Sequence, residues 1–112
     1  MKINYQRIYE KLGFLFYAIA AADNVVTPAE VLRLKEMVKK IWVPVENTTD
    51  EFGTDAAQYI SISFEYLMNE GVEADMAFEE FSNYYQDHSA AFSNGIKESI
   101  KMTAHAIAEA FK

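Results

Sequence analysis

Apolar residues recur every three to four positions through most of this chain, the period of helices that bury one face. Tyr5, Ile8, Leu12, Leu15 and Ile19 predict a first helix over about 3–22. From Leu12 onward Phe14, Phe16, Tyr17 and Ala18 fill its other faces, so this helix belongs in the middle of a bundle. The run Ala20-Ala21-Ala22 would let a neighbouring helix come close. Val31, Leu34, Val38 and Ile41 form the buried stripe of a second helix, with Arg33, Lys35, Glu36, Lys39 and Lys40 outside and Val43-Pro44 as its stop. A third helix is expected over about 55–69, capped by Thr49 or Thr54. There Ile60-Ser61-Ile62-Ser63-Phe64-Glu65-Tyr66 alternates with period two, but Ala56, Ile60, Phe64 and Leu67 also fit one helical face. No second strand-like run exists to satisfy a lone strand's backbone groups, which decides for helix.

Asn69-Glu70-Gly71 reads as a helix C-cap. A fourth helix follows over about 74–88, with Ala77, Phe81, Tyr84, Tyr85 and His88 on one side. Ser89 is placed to cap the next segment. A fifth helix covers about 93–111, with Phe92, Ile96, Ile100, Thr103, Ile107 and Phe111 in register. The expectation is an all-α fold, a compact bundle of about five helices forming one domain over 1–112. The segment Tyr17-Ala18-Ile19-Ala20 is echoed by His105-Ala106-Ile107-Ala108, which would make the fifth helix the counterpart of the first. The chain stops where a second turn would begin, as a truncated piece of a longer protein would.

Composition narrows the function. With 51% apolar residues, among them one Trp, seven Tyr and eight Phe, a real core can form. A domain of 112 residues buries roughly two thirds of its unfolded surface. No apolar run approaches the ~20 residues of a membrane span, and the N-terminus lacks the pattern of a secretory signal. The absence of cysteine removes disulfides, thiolate metal sites and thiol nucleophiles, and a cytoplasmic location follows as the default. The net charge of −7 is unevenly spread. Residues 41–96 carry acids throughout and no Lys or Arg; the bases concentrate in residues 1–40. So acidic a surface repels phosphate backbones and argues against nucleic acid as ligand. It suits a cation or a protein partner, and a homodimer is one form that partner could take.

Two places could carry chemistry. Asp23 sits in the turn after the first helix. Thr27, Pro28 and Glu30 then stand at the N-cap, first and third positions of the second, the pattern of a capping box. Asp23 and Glu30 could converge on a hard divalent cation such as calcium, magnesium or manganese; calcium takes about six to eight oxygen ligands. The competing structural role is an Asx turn at Asp23 and a helix cap at Glu30. In EF-hand register the first and third ligand positions fall on Ile19 and Ala21, so the segment is not an EF-hand. Asp50, Glu51 and Asp55 form a second acidic group around Gly53; they could hold a cation or neutralise the start of the third helix. His88 and His105 lack the Glu three residues earlier that helical di-iron sites use. No nucleophile elbow, phosphate loop or dinucleotide fingerprint occurs. An enzyme would have to rely on paired carboxylates converging in a sizeable pocket, and no spacing selects a pair.

The stretch Ala21-Ala22-Asp23-Asn24-Val25-Val26-Thr27-Pro28-Ala29-Glu30 resembles the TerB-like (tellurite-resistance protein B-like) domains, which carry Ala-Asp-Gly followed by a Ser/Thr-x-x-Glu helix start. Asn24 replaces the glycine and tolerates the same left-handed backbone nearly as well. The likeness covers about residues 12–38. It implies a compact all-α domain without catalytic activity, tied to stress response and tellurite resistance, and binding divalent metal through acids, here Asp23 and Glu30. The family's second Asp-containing turn has Phe111 in the place of its acid.

Overall fold

The computed structural model describes residues 5–22, 25–42 and 56–111. It is all-α, with no strand among the described residues. The elements are α1 (Tyr5–Ala20), α2 (Pro28–Met37) continued by a π-helical turn (Val38–Trp42), a 3-10 turn (Ala56–Gln58), α3 (Tyr59–Glu70), α4 (Ala74–His88), a 3-10 turn (Ser89–Ala91) and α5 (Asn94–Phe111). The expected five helices are all present, and the ambiguous segment 60–66 lies inside α3. The predicted caps Thr49 and Thr54 and the stop at Val43-Pro44 fall outside the described residues.

α1 is the hub, packing against α3, α4 and α5, while α2 lies on α5. Its composition explains the position: Ile8, Tyr9, Leu12, Phe16, Tyr17, Ala18 and Ala20 are all buried, on more than one face. At roughly 1.5–3 kcal/mol per large apolar side chain taken from water, this helix contributes much of the core. A close approach to it lies at Gly13. A Cβ built on Gly13 would stand 2.6 Å from the Ile60 carbonyl oxygen and closer still to Ser63 Oγ. Ser63 Oγ donates to the Glu10 carbonyl at 2.6 Å, which ties α3 to α1 at the same level.

Helix ends follow their local chemistry. Gly71 closes α3 in the left-handed region (φ 65°, ψ 35°). Its N–H donates to the Met68 carbonyl and that of Val72 to the Leu67 carbonyl, each at 3.2 Å, which is the Schellman pattern. Ser89 stands in the 3-10 turn and does not cap α5; Ser93 does, its Oγ accepting from the Ile96 N–H at 3.2 Å. Lying next to the helix start, Ser93 reaches the unpaired first-turn donors that Ser89 cannot.

Trp42 ties the second half of the fold to the hub. It is 1% exposed, meets Tyr9 edge-on at 5.8 Å between ring centres, and lies 6.3 Å from Phe16. Its Nε1–H donates to Thr103 Oγ1 at 2.9 Å, and that hydroxyl donates to the Ser99 carbonyl at 2.8 Å. A buried indole and a buried threonine on α5 are thus both satisfied, as burial demands. A separate aromatic layer, Phe81, Tyr84, Tyr85 and Phe92, closes the far end of α4.

Candidate functional site

Of the five acids proposed as metal ligands, Asp23, Asp50, Glu51 and Asp55 lie outside the described residues. Glu30 is described and is 2% exposed. It completes a capping box with Thr27, which has extended backbone (φ −86°, ψ 155°). The Thr27 N–H and hydroxyl both donate to Glu30 Oε1, at 2.9 and 3.1 Å, and the Glu30 N–H donates to Thr27 Oγ1 at 3.2 Å. One carboxylate oxygen is therefore committed to holding the helix start. Among the described residues no group of three or more His, Asp or Glu is placed to hold a metal ion.

The histidines have local roles. The His88 ring stacks on Tyr84 at 4.2 Å, with Nδ1 3.1 Å from the Tyr84 carbonyl oxygen. His105 lies 3.9 Å from Glu109 one turn along α5, both largely exposed. The Tyr84 phenol is pushed above its ordinary value of 10.0 by burial, with Arg7 lowering and Glu10 raising it. Burial also raises the Tyr17 phenol, whose hydroxyl donates to the Val72 carbonyl.

A groove of about 570 Å³ runs between α2 with its π-helical turn and α3, lined by Lys35, Lys39, Gln58, Ser61, Ile62 and Glu65. Helical geometry places its walls. On α2, Leu32 and Lys35 lie on the side away from the buried Leu34, and the exposed Lys39 follows in the π-helical turn. On α3, Ile62 and Tyr66 are one turn apart, facing away from the buried Ile60, Phe64 and Leu67. Lys35 pairs with Glu65, and Lys39 lines the groove with Ser61 and Ile62. The two helices thus run antiparallel here, the π-helical turn meeting the 3-10 turn that precedes α3. Leu32 is 63% exposed, Ile62 53% and Tyr66 61%. Apart from Ile62 its lining residues are polar or charged, and Lys39 forms no ion pair among the described residues. Its lining holds one carboxylate, Glu65.

Sequence reasoning assigned Lys35 and Lys39 correctly to the outside of α2 but missed the groove. The signal available was Leu32 and Ile62, each apolar where the helical period calls for a polar residue. Among the described residues no helix is long and apolar enough to cross a membrane. Comparison of the chain with protein-family models, with curated proteins and with solved structures gives no match.

Proposed function

We propose that this chain is a non-catalytic, TerB-like helical module whose work is to hold a protein partner in the α2–α3 groove. The observation that carries the reading is an open groove with the more-than-half-exposed Ile62 in its wall, on two helices that each expose a further large apolar side chain, Leu32 and Tyr66. Single exposed apolar side chains are ordinary; one set in the wall of a groove, with others on the helices that flank it, is the feature expected of an interaction surface. A groove between two antiparallel helices suits an amphipathic helix laid into it. The TerB-like part of the proposal rests on the Ala21–Glu30 motif, to which the capping box at Thr27 and Glu30 and the all-α bundle are congruent. The stress-response setting is taken from the same resemblance.

The test is site-specific photo-cross-linking from Ser61, in the groove, in the cells that make the protein. A discrete cross-linked partner is expected, lost in Leu32→Glu and Ile62→Glu and retained in Met102→Glu, which alters an exposed apolar residue on α5. A cross-link indifferent to the groove substitutions overturns the reading.

A divalent cation at Asp23 and Glu30 is the second reading, and it ranks second because Glu30 Oε1 already accepts two hydrogen bonds. A calorimetric melt with calcium, magnesium or manganese separates the two. A specific cation at roughly 100 times its dissociation constant adds about 2.7 kcal/mol to stability, and Asp23→Ala abolishes that gain.

A further inference from the structure

The groove reading leaves its occupant open, and the charge distribution suggests one. The wall formed by Lys35 and Lys39 belongs to the base-rich first part of the chain, whereas residues 41–96 hold no Lys or Arg. Within that acidic part, α4 presents a face of complementary chemistry. Asp75, Phe78 and Glu79 fall on one stripe of α4, directly opposite the Ala77, Phe81 and Tyr84 stripe that packs inward. Phe78 is 53% exposed. Neither Asp75 nor Glu79 forms an ion pair with a described base, unlike Glu80 on the flank, which pairs with Lys11. An aromatic ring flanked by these two carboxylates thus faces solvent on one side of the molecule. The groove, with Ile62 exposed in its wall and Lys39 unpaired among the described residues, is open to solvent as well.

We infer that the α4 face of one copy docks in the α2–α3 groove of a second copy, Phe78 against Ile62, with Asp75 and Glu79 toward Lys39. This rests on the groove reading above and names its partner. Because two different surfaces meet, the contact is head-to-tail, leaving one free groove and one free α4 face on every pair. The opposed charges orient the encounter, while the net charge of −7 on each copy opposes it. With so few residues on each side, the contact is smaller than a standard interface, and association is expected in the micromolar-to-millimolar range.

Sedimentation velocity across that concentration range provides the test, with circular dichroism to confirm that each variant is folded. The wild-type weight-average sedimentation coefficient is expected to rise with concentration. Ile62→Glu and Phe78→Glu should each weaken association at least about tenfold, as removal of a central apolar anchor does. Mixing those two variants is decisive. Each keeps the surface the other has lost, so the mixture should form a one-to-one pair that neither forms alone. Lys39→Glu should weaken association, and Lys39→Glu combined with Glu79→Lys should restore it. A wild type monomeric throughout the range overturns the self-docking inference. So does association unaffected by Ile62→Glu, or a mixture that stays monomeric. The cross-link from Ser61 reports on the groove independently: a cross-link to a different protein, with no self-association, rejects the second copy and keeps the groove.

Discussion

Glu30 shows how one side chain can be read correctly for its type and incompletely for its surroundings. Its spacing from Thr27 is sufficient to expect a capping box, because that motif is local to four residues. Its near-complete burial was not legible, since burial depends on what packs over the first turn of α2. Thr27→Ala should cost about 1 kcal/mol in a urea melt, and Glu30→Ala about as much. Glu30→Gln should lose less, because an amide oxygen can accept the same two bonds from Thr27. If Glu30→Gln proves as unstable as Glu30→Ala, the charge, not the cap, is what the fold uses. Tyr17 gives a pH dependence at the same scale. Burial raises its folded-state phenol above the ordinary 10.0 of the unfolded chain. The folded state then holds its proton longer, so stability is intact below pH 10 and falls as pH rises through the folded value. Tyr17→Phe should flatten that alkaline decline while lowering stability at neutral pH, where the hydrogen bond to the Val72 carbonyl is lost. Denaturant melts at a series of pH values measure both effects.

Between elements, the decisive contact is α1 against α3. Glycine in a helix interior costs up to about 1 kcal/mol relative to alanine, so Gly13 in an otherwise apolar helix marks a constraint. The sequence pointed to Ala20–Ala22 as a run that would let a neighbouring helix come close. Ala20 and Ala21 are buried, and a tight contact falls at Gly13, where α3 brings the Ile60 carbonyl and Ser63 to the surface of α1. No pattern within α1 alone could reveal that, because the constraint belongs to the pair. The helices themselves were legible because their apolar stripes repeat over several turns and their ends carry Thr27, Pro28 and Gly71, residues whose backbone preferences act locally. Gly13→Ala should destabilise by about 1–3 kcal/mol despite its better helix propensity, the cost of overpacking a tight site. Adding Ser63→Gly should recover only part of this, because the Ile60 carbonyl remains 2.6 Å from the new methyl group. Full recovery in the double variant would place the whole conflict on the serine.

At the scale of the molecule, one residue reports on whether the two parts of the bundle fold as a unit. Trp42 lies at the end of the π-helical turn that follows α2, yet it contacts Tyr9 and Phe16 on α1 and donates to Thr103 on α5. It therefore joins the hub helix, with its α3 and α4 neighbours, to the α2–α5 pair. A single radius of gyration near 13.1 Å, about that expected for a compact domain of this length, fits such a union. Since this is the chain's one tryptophan, its emission reads the junction alone, whereas far-ultraviolet circular dichroism reads all the helices. If the bundle is one cooperative unit, the two signals should share a midpoint in urea. Trp42→Phe removes the indole donor and leaves a void beside Phe16, at a cost of about 1–3 kcal/mol. Thr103 keeps its own bond to the Ser99 carbonyl, so no buried hydroxyl is stranded. The circular dichroism transition of this variant should move to lower urea yet stay single. A wild-type emission midpoint clearly below the circular dichroism midpoint would mean that α2 and α5 part from the hub before the rest unfolds. The α2–α3 groove would then open with them, since one of its walls belongs to each part.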